Sequence, residues 1–509
     1  MNSTILNTEQ DKAQRPSYFN DIFILALALI YTLLFYEQST GVNYLIFSIL
    51  VPLVFFFRDR QLIRSKAFLA LSLGSIFTGG LCFYFGSDYH LFLNKISLLL
   101  LAGVSFSPTS SLIVAFFHST YTYLSIPFYT LIDLFAIRNQ PKGKYSQILK
   151  YGILSIIPIV IALLFLLIYS ASNPILTQFL SHFNWSFIST GFVFFLFYAF
   201  LIAYGLMKQR TIKTIIRYDN LHTDDLKLET DVIYKSFFSF FSLKSEVYIA
   251  VAAFILLNLV IGLNNGLDIY YLFIQKKLPF NLSYTAFLHQ GVNALISSIF
   301  LAIGLIMYFF SSRLNFVEKS NYIKLTAYLW ILQNGVLVYL CFYKNSQYIA
   351  QFGLTYKRIG VYTFLVLATI GLGLTFYKIW KNKTNLFLLR KNTWVLYIVL
   401  VGLGSYDWDQ TIAHYNLDIC PNKDIDYSYL ISLDHTAMPA LYHHFFKSKD
   451  DYLQSKVQLD SIYHQGDYTY LSNHKDRFID KLEQLKKDET SLGIQSYCLT
   501  RKNVINQLK

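Results

Sequence analysis

The chain has 509 residues, of which 54% are hydrophobic and only 14% carry a charge. A soluble globular domain has roughly 25% charged residues, so this composition excludes an ordinary soluble protein and predicts one that lies in a lipid bilayer. The excess of basic residues lies in residues 1–406, which hold 31 Lys and Arg against 15 Asp and Glu. No block of Lys and Arg resembles a nucleic-acid-binding surface, so we interpret the excess as basic membrane loops and expect no nucleic-acid partner.

A polar segment, 1–20, precedes a series of apolar runs that predict an all-α polytopic bundle of about 11 spans. The first run ends at Tyr36 without the small residues of a cleavage site, which indicates an uncleaved span. A span needs about 20 residues, so the boundaries of the three shortest runs, the first, second and last, stay open. The runs cover residues 22–36, 44–57, 67–85, 91–107, 151–171, 186–207, 247–267, 290–310, 327–343, 361–380 and 393–406.

The positions of Lys and Arg orient these spans. With the N-terminus inside, the loops that face the cytoplasm carry 23 Lys and Arg, and the loops that face outward carry 5. Cytoplasmic loops of membrane proteins are enriched in basic residues. We therefore predict a bacterial cytoplasmic membrane protein with a cytoplasmic segment 1–20, a transmembrane domain over 21–406 and an external segment 407–509.

Residues 108–135 are long enough to span but do not fit this orientation. If they crossed the membrane, every later loop would change sides and the basic loops would face outward. We therefore expect a helix that lies in the interface or re-enters the bilayer, interrupted at Pro108 and Pro127.

Residues 407–509 form a polar tail that we predict to be a small helical domain, since Phe478, Leu482 and Leu485 repeat at helical spacing. The tail is also the predicted contact for envelope protein partners.

Histidines also lie in the tail. His435 and His443 are eight residues apart, about 12 Å along a helix, which is too far for them to bind one metal together. We interpret Asp434, these two histidines and His444 as a solvated polar face and predict no metal site.

The tail contains two of the four cysteines, Cys420 and Cys498. An oxidising compartment permits a disulfide between them, which would close nearly the whole tail into one loop. Two interpretations stay open, this disulfide and two unrelated buried thiols.

Six segments between about 250 and 445 carry a resemblance to known proteins. They are LLNLVIG at 256–262, YTAFLHQGVNALISSI at 284–299, AYLWILQNG at 327–335, YIAQFGLTYKRIGVY at 348–362, IAHYNLD at 412–418 and DYSYLISLDHTAMPAL at 426–441. Together they resemble a family of uncharacterised bacterial membrane proteins that share a domain of unknown function. The most family-like run is Gly353-Leu354-Thr355 followed by Arg358-Ile359. The resemblance implies a multi-pass bacterial membrane protein and no established activity.

Few ionisable groups fall within the predicted spans, and such groups are often functional. Asp268 ends one span, and His289 with Asn293 opens the next, so these side chains form a candidate polar site near the outer face. The alternative is a satisfied interface cap. Arg358 is basic in a loop that the orientation places outside. It would bind a phosphate or headgroup, or else serve a structural role in a re-entrant loop.

No catalytic residue can be assigned, because the chain lacks the sequence patterns of P-loop, zinc protease and serine hydrolase sites. We expect no cofactor, and an enzyme is the least favoured class. Cell-envelope assembly or sensing and a secondary transporter for a small solute or ion rank about equal. A membrane enzyme that acts on a lipid-linked substrate ranks below them. The predicted partner common to all three is the lipid bilayer.

Overall fold

The computed structural model describes most of the chain and shows a helical protein. Of the described residues, 87% are helical, and no strand occurs among them. An isolated antiparallel bridge joins Asp225 and Lys383. The description covers residues 17–136, 158, 161–162, 165–166, 168–181, 190–226, 243–275, 297–299, 301–310, 313–317, 320–419, 425–446, 448, 450–456 and 474–508.

Seventeen helices are labelled here in chain order. The N-terminal seven are α1 (Ser17–Phe35), α2 (Val42–Arg58), α3 (Lys66–Tyr84), α4 (Asp88–Phe106), α5 (Leu112–Ala136), α6 (Pro174–Ser181) and α7 (Thr190–Met207). The next five are α8 (Lys213–Leu221), α9 (Leu243–Ile269), α10 (Ser320–Phe352), α11 (Tyr356–Trp380) and α12 (Asn385–Gly404). The tail adds α13 (Trp408–His414), α14 (Tyr427–Ser432), α15 (Met438–Phe445), α16 (His474–Ser491) and α17 (Leu499–Gln507).

Among the described residues, six helical segments are long and apolar enough to cross a membrane. On one of them, α9, the side chains of Leu256, Leu259 and Leu263 are 63–68% exposed in the part of the chain that the structure describes. An exposed apolar surface of this kind is typical of a helix that contacts lipid or another protein segment. Four shorter apolar helices add to the six, and most of residues 151–171 lie outside the described residues, so the count of eleven stays a prediction. The six segments are Lys66–Tyr84, Asp88–Phe106, Lys244–Gln275, Ser320–Phe352, Tyr356–Trp380 and Asn385–Gly404.

The structure describes two regions whose status the sequence left open, residues 393–406 and residues 108–135. Most of the last predicted run, 393–406, belongs to a longer helix, because α12 begins at Asn385 and ends at Gly404, a length of 20 residues. The expected interruption at Pro127 is wrong, because α5 runs through this proline as one helix of 25 residues. Pro108 precedes the helix. α5 is not one of the six candidate spans.

The chain forms two compact units. Unit 1 comprises Met1–Arg217 and Ser491–Leu499. In unit 1, the short segment from the tail packs on the turn between α1 and α2. The backbone N–H of Val42 donates to the Tyr497 carbonyl (2.9 Å), and that of Ser39 donates to Ser496 Oγ (2.8 Å). A Cβ on Gly41 would lie 2.4 Å from the Ser496 carbonyl carbon, so this approach needs glycine.

Unit 2 comprises Tyr218–Thr490 and Thr500–Lys509. Its helices α9 and α10 pack side by side along a polar stripe. The Asn258 side-chain amide donates to the Thr326 carbonyl (2.9 Å), and Gln333 donates to Asn258 Oδ1 (2.9 Å). Asn265 donates to the Gln333 carbonyl (2.9 Å). Buried amides join apolar helices because lipid offers them no partner.

The helices of unit 2 have two distinct ends. The basic end carries Lys324, Lys378, Lys383 and Arg390, and its short segment 219–226 supplies acidic partners. Arg390 contacts Asp219 Oδ1 (3.0 Å) and Asp224 Oδ1 (2.5 Å), Lys383 contacts Asp225 Oδ1 (2.5 Å), and the buried Lys378 donates to the Phe310 carbonyl (2.9 Å).

The opposite end, called the module end, holds the turn between α10 and α11 and the last residues of α12. The tail module packs on this end and consists of residues 407–419, 425–446, 450–456, 474–490 and 500–508. Ile349, Leu354 and Ile359 from the ends of α10 and α11 share one hydrophobic core with tail residues. The fully buried tail residues of this core include Ile412, Leu430, Leu441, Phe478, Ile479 and Leu482. The helical face predicted at Phe478 and Leu482 is therefore confirmed.

Candidate functional site

Polar side chains gather at the module end around the turn between α10 and α11. Gly353 has φ +82°, a left-handed conformation that favours glycine, and a Cβ there would lie 2.3 Å from Asn416 Oδ1. Asn416 therefore lies close enough to bond the backbone of Leu354 and fix the turn. Its Oδ1 accepts from the Leu354 N–H (2.6 Å), and its Nδ2 donates to the Leu354 carbonyl (2.8 Å).

Arg358 completes the same turn. Its Nη1 donates to the carbonyls of Phe352 (2.7 Å) and Gly353, and its guanidinium lies 4.4 Å from the centre of the Tyr348 ring. The Arg358 carbonyl in turn accepts from Asn345 Nδ2 (3.1 Å). These contacts satisfy carbonyls at the C-terminus of α10, which supports the structural interpretation of Arg358.

Asp268 pairs with Lys344, a residue that the sequence analysis did not identify as a candidate. Lys344 Nζ on α10 lies 2.7 Å from Asp268 Oδ2 on α9, and their side chains are only 5% and 12% exposed. His289 and Asn293, the other members of the predicted cluster, lie outside the described residues, so their proximity to Asp268 stays a prediction. The signal for this pair was Lys344 itself, a basic residue directly after an apolar run in a loop predicted to be external.

Tyr356 links the first turn of α11 to the tail module. Its hydroxyl donates to Asp409 Oδ2 (2.7 Å), and its backbone N–H donates to the Tyr429 hydroxyl (2.9 Å). Asp409 Oδ1 also accepts from the Asp434 N–H (3.2 Å). Burial raises the pKa of Asp409 above its usual value, and the hydrogen bonds from Tyr356 and from the Asp434 backbone oppose that shift only in part.

Asp434 is the second carboxylate of the site, and its hydrogen bonds extend the network to α17. Asp434 Oδ1 accepts from the backbone N–H of His435 and lies 2.7 Å from its ring Nδ1. The other ring nitrogen, Nε2, lies 2.8 Å from Thr500 Oγ1. Asp434, His435 and Thr500 thus form a continuous line of hydrogen bonds.

Lys481 lies beside this line, where its Nζ donates to the carbonyls of Ile431 (2.6 Å) and Leu433. Burial alone would raise the pKa of Asp434, but hydrogen bonds and charge from His435, together with the charge of Lys481, outweigh it. The pKa of Asp434 therefore falls below its usual value. Asp409 and Asp434 are neighbours whose pKa values shift in opposite directions.

The expectation of a solvated face is wrong for His435, which is only 4% exposed. The tail core covers it because it follows directly on the buried segment Leu430–Leu433 and faces the last helix. His443 is exposed, as expected. Among the described residues, no group of three or more His, Cys, Asp or Glu is placed to hold a metal ion.

Cys498 is buried, and its Sγ lies 3.4 Å from the Tyr84 carbonyl. Cys420 lies outside the described residues, so the disulfide between them stays a prediction.

Comparison with known proteins adds one finding. No curated protein and no solved structure gives a significant match to the chain. Residues 45–444 match the model of a family described as a domain of unknown function, DUF4153. The match covers most of the chain and extends the resemblance well to the N-terminal side of residue 250. The turn at Gly353, the Asp268–Lys344 pair and the Asp434–His435 segment all lie within it. The chain therefore belongs to this family.

Proposed function

We propose that the chain is a multi-pass protein of the bacterial cytoplasmic membrane that acts in cell-envelope assembly or sensing, with the tail module as its external recognition part. One observation carries this proposal. The tail module shares a single hydrophobic core with the ends of α10 and α11, at Ile349, Leu354 and Ile359. A partner that binds the module would therefore act on elements packed directly against two candidate spans.

The hydrogen bonds at the module end support the same role. Tyr356 in the first turn of α11 bonds Asp409, and Asn416 holds the turn before it. Both contacts join a candidate span to the tail, so a change in the module can shift the population of span conformations.

Charge supports the orientation. The basic end of unit 2 contains loops that the count of Lys and Arg places in the cytoplasm, and the module end is the opposite one. In unit 1, the tail segment 491–499 contacts the turn between α1 and α2, which the same count places outside. In each unit taken separately, the tail residues therefore contact the side that the count of Lys and Arg predicts to be external.

A transporter is the second candidate, and the Asp268–Lys344 pair favours it. This pair lies between two candidate spans, and buried ion pairs in such positions mark the pathways of many transporters.

The orientation can be tested by labelling. In a cysteine-free background, Ile494→Cys should react with a membrane-impermeant maleimide in intact cells, because Ile494 is 88% exposed. Ser236→Cys, in a loop predicted to be cytoplasmic, should react only after the membrane is permeabilised. Labelling of Ser236→Cys in intact cells would overturn the orientation, and so would an Ile494→Cys that needs permeabilisation.

The role can be tested by complementation of a deletion strain. Tyr356→Phe removes only the hydroxyl that bonds Asp409, and Tyr339→Phe is its control, since Tyr339 lies on α10 and is 61% exposed. We expect Tyr356→Phe, at normal abundance, to leave the strain sensitive to detergents and large antibiotics while Tyr339→Phe restores resistance. A deletion that changes only the uptake of a solute would favour the transporter, and full complementation by Tyr356→Phe would remove the proposed coupling.

A further inference from the structure

We infer that Thr500, His435 and Asp434 form a nucleophile, base and positioning residue for acyl transfer, so that the tail module hydrolyses an ester or amide. This activity goes beyond the proposed recognition role and does not depend on it. The observation is the order and the spacing of the three groups. Thr500 Oγ1 lies 2.8 Å from His435 Nε2, and His435 Nδ1 lies 2.7 Å from Asp434 Oδ1.

This geometry meets the requirement for an activated hydroxyl. A nucleophile and its base must lie within about 2.6–3.2 Å, and a third group must orient the base. Asp434 accepts through Oδ1, which assigns the ring proton of His435 to Nδ1. Nε2 then accepts the Thr500 hydroxyl proton, and this is the tautomer that a general base needs.

The surroundings hold this arrangement in place. His435 is 4% exposed, and its own backbone N–H is bonded to the same Asp434 oxygen that orients its ring. The ammonium of Lys481, bonded to two carbonyls of the preceding segment, keeps positive charge beside Asp434. Asp434 therefore remains an anion that can stabilise an imidazolium ring.

Thr500 lies in the first turn of α17, a helix of nine residues, and is partly exposed. The N–H groups of a first turn point out of the helix at its N-terminus, where they stabilise negative charge. A carbonyl carbon beside Thr500 Oγ1 would place its oxygen near these donors, as in an oxyanion hole. The substrate class is thus an acyl ester or amide small enough to reach the partly exposed Thr500.

The reaction proceeds in two balanced steps. Thr500 Oγ attacks the acyl carbon while its proton moves to His435 Nε2, and the bond from carbon to the leaving alcohol or amine breaks as His435 returns the proton to that group. A water molecule then attacks the acyl-threonine ester. Its proton moves to His435 and on to Thr500 Oγ, which leaves as the hydroxyl and releases the carboxylic acid.

The competing explanation is that His435 only fastens α17 to the module. Both explanations predict a loss of stability when His435 changes, so stability cannot separate them, whereas covalent labelling can. The full chain in lipid nanodiscs is treated with a fluorophosphonate, and peptides are analysed by mass spectrometry. The variants are Thr500→Ser, Thr500→Val and His435→Gln, and Thr490→Ala is the control because Thr490 is exposed.

We expect a phosphonate adduct on Thr500, retained in Thr500→Ser and in Thr490→Ala and absent in Thr500→Val. His435→Gln should slow adduct formation by at least about 100-fold, the usual contribution of a general base. Asp434→Asn should lower kcat for p-nitrophenyl acetate with KM unchanged. An intact chain with no adduct on Thr500, or one whose labelling rate is unchanged in His435→Gln, would overturn the inference. Either result leaves the topology and complementation tests of the proposed function unaffected.

Discussion

The two ends of unit 2 are held together by different physical forces. At the basic end, Arg390 and Lys383 pair with Asp219, Asp224 and Asp225. At the module end, a hydrophobic core and hydrogen bonds of Asn416 and Tyr356 hold the tail module against α10 and α11. Ion pairs with segment 219–226 distinguish the basic end, whereas the module end combines burial and backbone geometry with the Asp268–Lys344 pair.

This difference shows what the count of basic residues measures. Arg390, Lys383 and Lys378 all contribute to the cytoplasmic total that orients the chain, yet each is engaged in a contact within the protein. The count remains a topological signal. It overstates the free positive charge at that end, because segment 219–226 neutralises part of it.

The largest expected effect is at the basic end. Arg390→Ala should lower the free energy of unfolding by about 3 kcal/mol, because it removes the guanidinium that pairs with the buried carboxylate of Asp219, which is only 4% exposed. Lys391→Ala is the matched control, since the neighbouring Lys391 is exposed and should cost less than about 0.5 kcal/mol. SDS-induced unfolding in mixed micelles measures both variants. Equal effects would show that the ion pairs do not stabilise this end.

At the module end, Gly353→Ala should cost about 2 kcal/mol, since alanine is strained at a positive φ and its Cβ would displace Asn416. Gly360 lies within α11 and has open space where a Cβ would be, so Gly360→Ala should be neutral or slightly stabilising. The same unfolding assay compares the two substitutions. A Gly353→Ala chain as stable as Gly360→Ala would mean that Asn416 does not fix the turn.

The smallest effect concerns acid. Burial raises the pKa of Glu483, but hydrogen bonds from Lys456, Tyr452 and Lys486 outweigh it and lower this pKa to about 2. Its folded pKa lies below the unfolded value, so its contribution is complete above about pH 4.5 and disappears as the pH falls toward 2.

Glu483→Gln should therefore lose less stability than the wild type between pH 5 and 2.5. The difference should stay below about 1 kcal/mol because the side chain is 35% exposed. The exposed Asp450→Asn is the control for a general charge effect. Parallel pH profiles for wild type and Glu483→Gln would contradict this assignment.

The class of fold was predictable because membrane spans are long apolar segments that composition reveals directly. The tail helix was predictable for a similar reason, since Phe478 and Leu482 repeat at helical spacing. Element boundaries were less accessible. α12 begins at Asn385 because the Thr384 side chain caps it and accepts from the Phe387 N–H (3.2 Å). Arg390 in this helix pairs with Asp219 and Asp224, and no local sequence pattern reveals a contact across more than 160 positions.

The site was only partly predictable. Asp268 and Arg358 were identified because charge in an apolar or external segment is unusual, and both lie at the module end. Their partners, Lys344 and the turn carbonyls, were missed because pairing depends on how helices pack. Thr500 gave no signal, since a single threonine near the end of a chain has no distinctive spacing to a histidine 65 residues earlier.

The polar stripe between α9 and α10 has a consequence for how the protein enters its membrane. Asn258 finds its partner carbonyl 68 residues later, at Thr326, and Asp268 finds its ammonium 76 residues later, at Lys344. At about 5–20 residues per second, synthesis needs roughly 3 to 15 s to supply these partners. During that interval α9 would expose an amide and a carboxylate that lipid cannot satisfy. Biogenesis therefore favours retaining α9 beside the insertion machinery until α10 emerges, so that the two helices enter the bilayer together.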